Sequence, residues 1–244
     1  DPLSAQIHLL GDLLGATIVE QEGQPLLDLV EQVRALAKNG RSGDAGARRD
    51  LLRLAGSLSL PDARGVIKAF TTYFQLINLA EEGERVRVLH DRAHRAHADD
   101  RPIGESVGAA IRQLAGDGVT PAQMRGLLAR LTVQPVFTAH PTEAKRRTIL
   151  AKLRRIGNAL SRFDFAELTP EEERDALDTM REEIVSLWQS DETRLRQPTV
   201  LDEVRNGLYF FDDVLFDLAP VLYRSLEDAL TAAYPGEAFT VPPF

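Results

Sequence analysis

The sequence predicts a mainly α-helical protein: a helical bundle carrying one or two short strands. Three observations predict it. Apolar residues recur at helical spacing through most of the chain. Ala, Leu, Glu and Arg dominate, all good helix formers. Two helix starts carry a capping box with proline in the first helical position, at Thr120-Pro121-Ala122-Gln123 and Thr169-Pro170-Glu171-Glu172.

The elements follow in order. Leu9, Leu10, Leu13, Leu14 and Ile18 mark a first amphipathic helix, and Leu26, Leu29, Val30, Val33 and Leu36 a second. The polar stretch from Asn39 to Asp44 reads as the loop that ends it. Pro61 suits the first turn of a helix bearing Val66, Ile67, Phe70, Phe74, Ile77 and Leu79. The box at Thr120 opens a short helix through Leu127, Leu128 and Leu131. At 133–138 the pattern changes to β-branched and aromatic residues interrupted by Gln134 and Pro135, which predicts a strand. Proline there suits an edge, a strand start or a barrel position. A helix of roughly twenty residues is expected from 142 to about 163, and another after Thr169 presents Leu177, Met180, Ile184, Leu187 and Trp188. Val204, Leu208, Phe211, Leu215, Leu218 and Leu222 form a bundle-packing stripe, bent or broken at Pro220. Phe239-Thr240-Val241 reads as the start of a second strand. The expected division is an N-terminal helical region at 1–131 and, at 132–244, the first strand with its histidine turn and the long helices after it.

Composition narrows the function. The 244 residues carry a net charge of −8, which argues against a nucleic-acid surface. There is no cysteine, so disulfides and thiolate metal sites are excluded. No apolar run approaches the roughly 20 residues of a membrane span, and the first residues lack the pattern of a signal peptide. The expectation is a soluble cytoplasmic protein with no nucleic-acid or membrane partner. The chain opens without methionine and stops at Val241-Pro242-Pro243-Phe244, which reads as a fragment.

The most informative stretch is Thr138-Ala139-His140-Pro141-Thr142-Glu143, between the expected strand and a helix start rich in cations. Six basic residues and no acidic one lie between Lys145 and Arg155. Arg146 falls on the apolar face of the helix, one turn above Leu150, and Arg147 lies at its edge in line with Arg154. A buried arginine there requires an anionic partner. The cationic field favours a neutral imidazole ready to accept a proton. A lone histidine in a turn is most often structural or solvated. The strand-turn-helix setting, Pro141 and the charge cluster argue instead for an anion-handling site, without naming the reaction.

Residues Val136 to Arg147 closely resemble the catalytic-histidine signature of the phosphoenolpyruvate carboxylase family. The stretch from Ala69 to Glu81 resembles the family's early helix motif. Trp188-Gln189-Ser190-Asp191-Glu192-Thr193-Arg194, with Pro198-Thr199 and Asp202-Glu203, resembles its next block. Order and spacing agree, so the similarity spans nearly the whole chain. The resemblance implies a large, mostly helical enzyme around an eight-stranded barrel, usually a homotetramer. Such an enzyme joins phosphoenolpyruvate to bicarbonate, giving oxaloacetate and phosphate, with Mg²⁺ or Mn²⁺. It implies that His140 is the essential histidine, taking the carboxyphosphate proton beside an enolate, and that 133–138 is the first barrel strand. Arg146, Arg147 and Arg194 resemble positions that bind a sugar-phosphate activator in plant members; bacterial members differ in effectors. The family's metal ligands, a Glu and an Asp, and its substrate-phosphate arginines lie downstream of everything present. So does a Gly-Gly-Asp-Arg-Asp-Gly-Asn type loop expected next. No metal ligand is therefore assigned here, and the piece alone is expected to be inactive.

Other features have plainer readings. His90, His94 and His97 have zinc-like spacing on one helical face, but the segment is heavily charged and reads as solvated. His8 beside an apolar stripe reads as packing, Trp188 as core that could also stack a cation, and Asp212, Asp213 and Asp217 as solvated helix residues. Two rival functions stand beside the carboxylase: a phosphohistidine phosphotransfer protein, and a non-catalytic helical interaction module.

Overall fold

The computed structural model describes residues 1–98, 102–134, 136, 146–165, 167–191 and 199–241. Its helices are α1 (Pro2–Glu22), α2 (Gln24–Arg41), α3 (Ala45–Ser57), α4 (Leu60–Ala98), α5 (Val107–Gly116), α6 (Pro121–Leu128), α7 (Arg147–Phe165), α8 (Pro170–Trp188), α9 (Val200–Phe210) and α10 (Phe216–Ala233). A π-helical turn, Phe211–Leu215, joins the last two. The expected helical class is found, and no strand occurs among the described residues. Val133, Gln134 and Val136 are exposed and in neither helix nor strand; residues 239–241 are also in neither, with Phe239 half-buried against the second core. A strand needs a neighbour to complete its ladder.

The chain divides into two units, Asp1–Arg87 with Lys145–Thr193, and Val88–Ala144 with Arg194–Phe244. In the first, α1 buries Leu10, Leu13, Leu14 and Ile18 with Leu76 and Ala80 of α4, Ile149, Ile156 and Leu160 of α7, and Met180, Ile184, Leu187 and Trp188 of α8. A single core absorbs these faces; on α4 the buried face differs from the predicted one, since Leu76 and Ala80 are buried while Ile67 and Phe74 are 66% and 58% exposed. Gln6 Nε2 donates to Asp164 Oδ1 (2.8 Å), joining α1 to α7. Gly157 lets α7 approach α4: a Cβ there would lie 3.0 Å from Leu79 Cδ1. In the second unit, Ile111 of α5, Met124 and Leu128 of α6, and Leu226, Leu230 and Tyr234 form a smaller core. The Tyr234 hydroxyl donates to the Val119 carbonyl (2.9 Å).

Both predicted capping boxes form. The Thr120 and Thr169 hydroxyls accept from the backbone of Gln123 and Glu172, and those side chains reach back to the cap N–H. A third box, Thr199 with Asp202, was not predicted.

Four expectations are corrected. α2 runs through the supposed loop to Arg41, because α3 packs on its end and Gly40 lies 3.5 Å from Arg48 at its missing Cβ. α1 is, by length and composition, one helix long and apolar enough to cross a membrane. Its scattered polar residues broke the apolar run but not its average, and its leucines serve the core of the first unit. The stripe from Val204 to Leu222 is not buried: Val204 and Leu208 are each 53% exposed and Leu218 51%. None of the described core residues comes from it. Finally, Pro220 sits inside α10 without ending it. The irregularity falls upstream, where Phe216 N–H bonds the Phe211 carbonyl and widens the turn. Proline deprives residue 216 of its usual donor, and the extra-residue turn lies directly before that gap.

Candidate functional site

Of the residues singled out in sequence, His140 and Arg194 lie outside the described residues. Arg146 and Arg147 are neighbours at the start of α7. The Arg146 carbonyl accepts from the N–H groups of Ile149 (2.9 Å) and Leu150 (3.1 Å), so Arg146 occupies the capping position. It is half-buried and Arg147 is exposed. The turn is anchored by Ile149, which is 1% exposed in the core. The helix start thus presents two guanidinium-bearing residues on a fixed base, at the end of the helix whose N–H groups favour anions.

The cations further along do not all face that end. Arg155 forms a two-pronged pair with Glu183 of α8, with Nη2 to Oε2 at 2.9 Å and a second bond from Nε to Oε1. That hydrogen bond to Glu183 raises the Arg155 pKa above its ordinary value. Lys152 Nζ donates to the Ser186 carbonyl (2.9 Å), the Ser186 hydroxyl and the Ser190 hydroxyl (3.0 Å). A cation on the last carbonyls of a helix meets the negative end of its dipole. So Lys152 and Arg155 tie α7 to α8.

The far end of α8 is braced from several sides. Trp188 is 1% exposed, as predicted for a core residue. Its Nε1–H donates to Glu22 Oε1 (3.2 Å), and Lys68 Nζ stands 4.9 Å from its ring centre. The stacked cation is therefore a lysine of α4. Gln189 Nε2 donates to Gln21 Oε1 (2.8 Å), and Ser190 Oγ donates to the Ser186 carbonyl (2.8 Å). Residues 188–190 are the first three of the motif block that begins at Trp188. The sequence signal for this brace was present but unread: two serines four apart at a helix end, and a lysine three residues after Ile149 on α7.

His8 is not packed. It is exposed at the mouth of a groove of about 460 Å³ between α1, α2 and α4, alongside Asp12 and Tyr73. Asp212, Asp213 and Asp217 are exposed, as expected. Among the described residues no group of three or more His, Cys, Asp or Glu is placed to hold a metal ion. The donor set of the described residues therefore does not fit the Mg²⁺ or Mn²⁺ site that the family resemblance implies.

Known families settle what this framework belongs to. The family model described as phosphoenolpyruvate carboxylase matches residues 3–244. The chain belongs to the phosphoenolpyruvate carboxylase family. A phosphoenolpyruvate carboxylase of Roseiflexus castenholzii is 47% identical over 246 residues, which cover 99% of this chain and 26% of that protein. One from Rhodothermus marinus is 37% identical, covering 96% of this chain and 25% of its own length. One from Thermus thermophilus is 38% identical, covering 95% and 26%. The chain spans about a quarter of the length of these carboxylases. Family membership favours neither the phosphotransfer reading nor the interaction-module reading.

Proposed function

We propose that this chain is the N-terminal part of a cytoplasmic phosphoenolpyruvate carboxylase, which joins phosphoenolpyruvate and bicarbonate to give oxaloacetate and phosphate. The observation that carries the proposal is the family match across residues 3–244, which includes the histidine signature. In the proposed reaction bicarbonate oxygen attacks the phosphoryl group, giving carboxyphosphate and the enolate of pyruvate. The His140 imidazole takes the carboxyphosphate proton, the C–O bond breaks to release CO₂ and phosphate, and the enolate carbon attacks the CO₂. A divalent Mg²⁺ or Mn²⁺, for which the described residues of this chain hold no ligand group, would supply charge stabilisation to the enolate.

Here 1–131 is the N-terminal helical region and 132–244 opens the catalytic domain, with 133–138 as the first strand of a barrel completed by later segments. Arg146, Arg147 and Arg194 take the phosphate of an anionic effector. Support for this comes from the paired placement of Arg146 and Arg147 at a helix start. The full-length protein is a homotetramer, and the 244-residue piece alone has no carboxylase activity.

The test is His140→Asn in the full-length parent. Oxaloacetate formation is followed by NADH oxidation with added malate dehydrogenase, and circular dichroism checks the fold. Loss of turnover with an unchanged spectrum supports the assignment. Undiminished turnover defeats it.

A further inference from the structure

The histidines of α4, set aside in sequence as a solvated face, have a geometry that the carboxylase reading does not use. His90 and His94 are one helical turn apart, and both are exposed. Their rings converge: the centroids are 4.4 Å apart, the planes 65° apart, and the two Nε2 atoms are separated by 3.2 Å. Between neutral rings that distance is a hydrogen bond, with one Nε2–H donating to the other ring's lone pair. It is also the separation two imidazoles adopt around one metal ion. Zinc sits about 2.0–2.1 Å from an imidazole nitrogen, so nitrogens 3.2 Å apart subtend roughly 100–106° at a shared ion, close to tetrahedral.

We propose that His90 and His94 form a surface site for a borderline-soft divalent transition metal such as Zn²⁺, Ni²⁺ or Cu²⁺. The ion takes the place of the shared hydrogen, which moves through solvent from Nε2 to Nδ1 of the same ring. Both Nε2 lone pairs then point at the metal, and the net charge of the ligands is unchanged. Two neutral nitrogens select against Mg²⁺ and Mn²⁺, which prefer oxygen. Its effect is on the helix. Ligands from successive turns of one helix are held together only while the turn is formed, so the bound ion staples α4 between residues 90 and 94, one turn before it ends at Ala98.

The experiment uses the 244-residue chain without a histidine tag, titrated calorimetrically with ZnCl₂ at neutral pH. One binding event per chain is expected, and no heat is expected from MgCl₂. His90→Asn and His94→Asn should each abolish the zinc isotherm. Both positions are exposed, so both variants should keep the parent's circular dichroism. In a second readout, NiCl₂ should broaden the ring C2 proton signals of these two histidines before any other. Absence of zinc binding, binding undiminished in both variants, or an equal response to MgCl₂ would each overturn the assignment.

Discussion

Lys152→Met tests whether the brace between α7 and α8 is energetic or incidental. Methionine keeps an unbranched apolar stem and deletes the ammonium that bonds Ser186 and Ser190. Hydrogen bonds from a charged donor contribute ~1.5–3 kcal/mol when well buried. Lys152 is only half-buried, and solvent replaces part of what is lost. The expected loss is therefore about 2 kcal/mol for the whole cluster. In a chain of this size that lowers the melting temperature by roughly 4–8 °C. The assay is urea unfolding followed by fluorescence of Trp188, the single tryptophan, which lies at the braced end of α8. A cycle with Ser190→Ala should give a coupling of at least ~0.5 kcal/mol. If Lys152→Met unfolds within about 0.5 kcal/mol of the parent, or the two effects simply add, the ammonium does not hold the helices together.

Two further outcomes are expected, beside those for His140 and the histidine pair. Met180→Ala empties a fully buried site on α8 (0% exposed) and should cost roughly 2–5 kcal/mol in the same urea assay; a smaller loss would mean the first core collapses to fill the space. Glu172 is held below the ordinary carboxylate value of 4.5, first by its backbone hydrogen bond at Thr169 and then by the Thr169 hydroxyl. Because the folded pKa is the lower one, its contribution is complete above pH 4.5 and fades as pH falls through the depressed value. Acid titration should therefore weaken the parent more than Glu172→Gln, and identical acid profiles would refute the linkage.

What the sequence made legible was whatever is local. The boxes at Thr120 and Thr169 were readable because cap, proline and the third residue lie within four positions. The box at Thr199 was missed because its partner is Asp202 rather than Glu or Gln. Trp188 as core followed from periodicity with its neighbours. Lys152 was read as part of a charge cluster, since nothing near it in sequence reveals that Ser186 waits on another helix. The stripe from Val204 to Leu222 shows the converse. Periodicity identifies an apolar face but not what covers it, and within this chain Phe211 and Leu218 remain about half exposed. For the site, the sequence located the cationic helix start, whereas the division of its cations between Glu183 and the end of α8 is a tertiary fact.

The widened turn at Phe211–Leu215 also sets the rotational phase of α10. Each residue advances a helix by about 100°, so letting the turn tighten to an ordinary α-helix with every residue kept would swing α10 by about that angle. Leu226 and Leu230 would then turn away from Ile111 of α5 and Met124 of α6. The surplus residue acts as a phase shifter between α9, whose Val204 and Leu208 face solvent, and the end of α10, whose Leu226 and Leu230 enter the core.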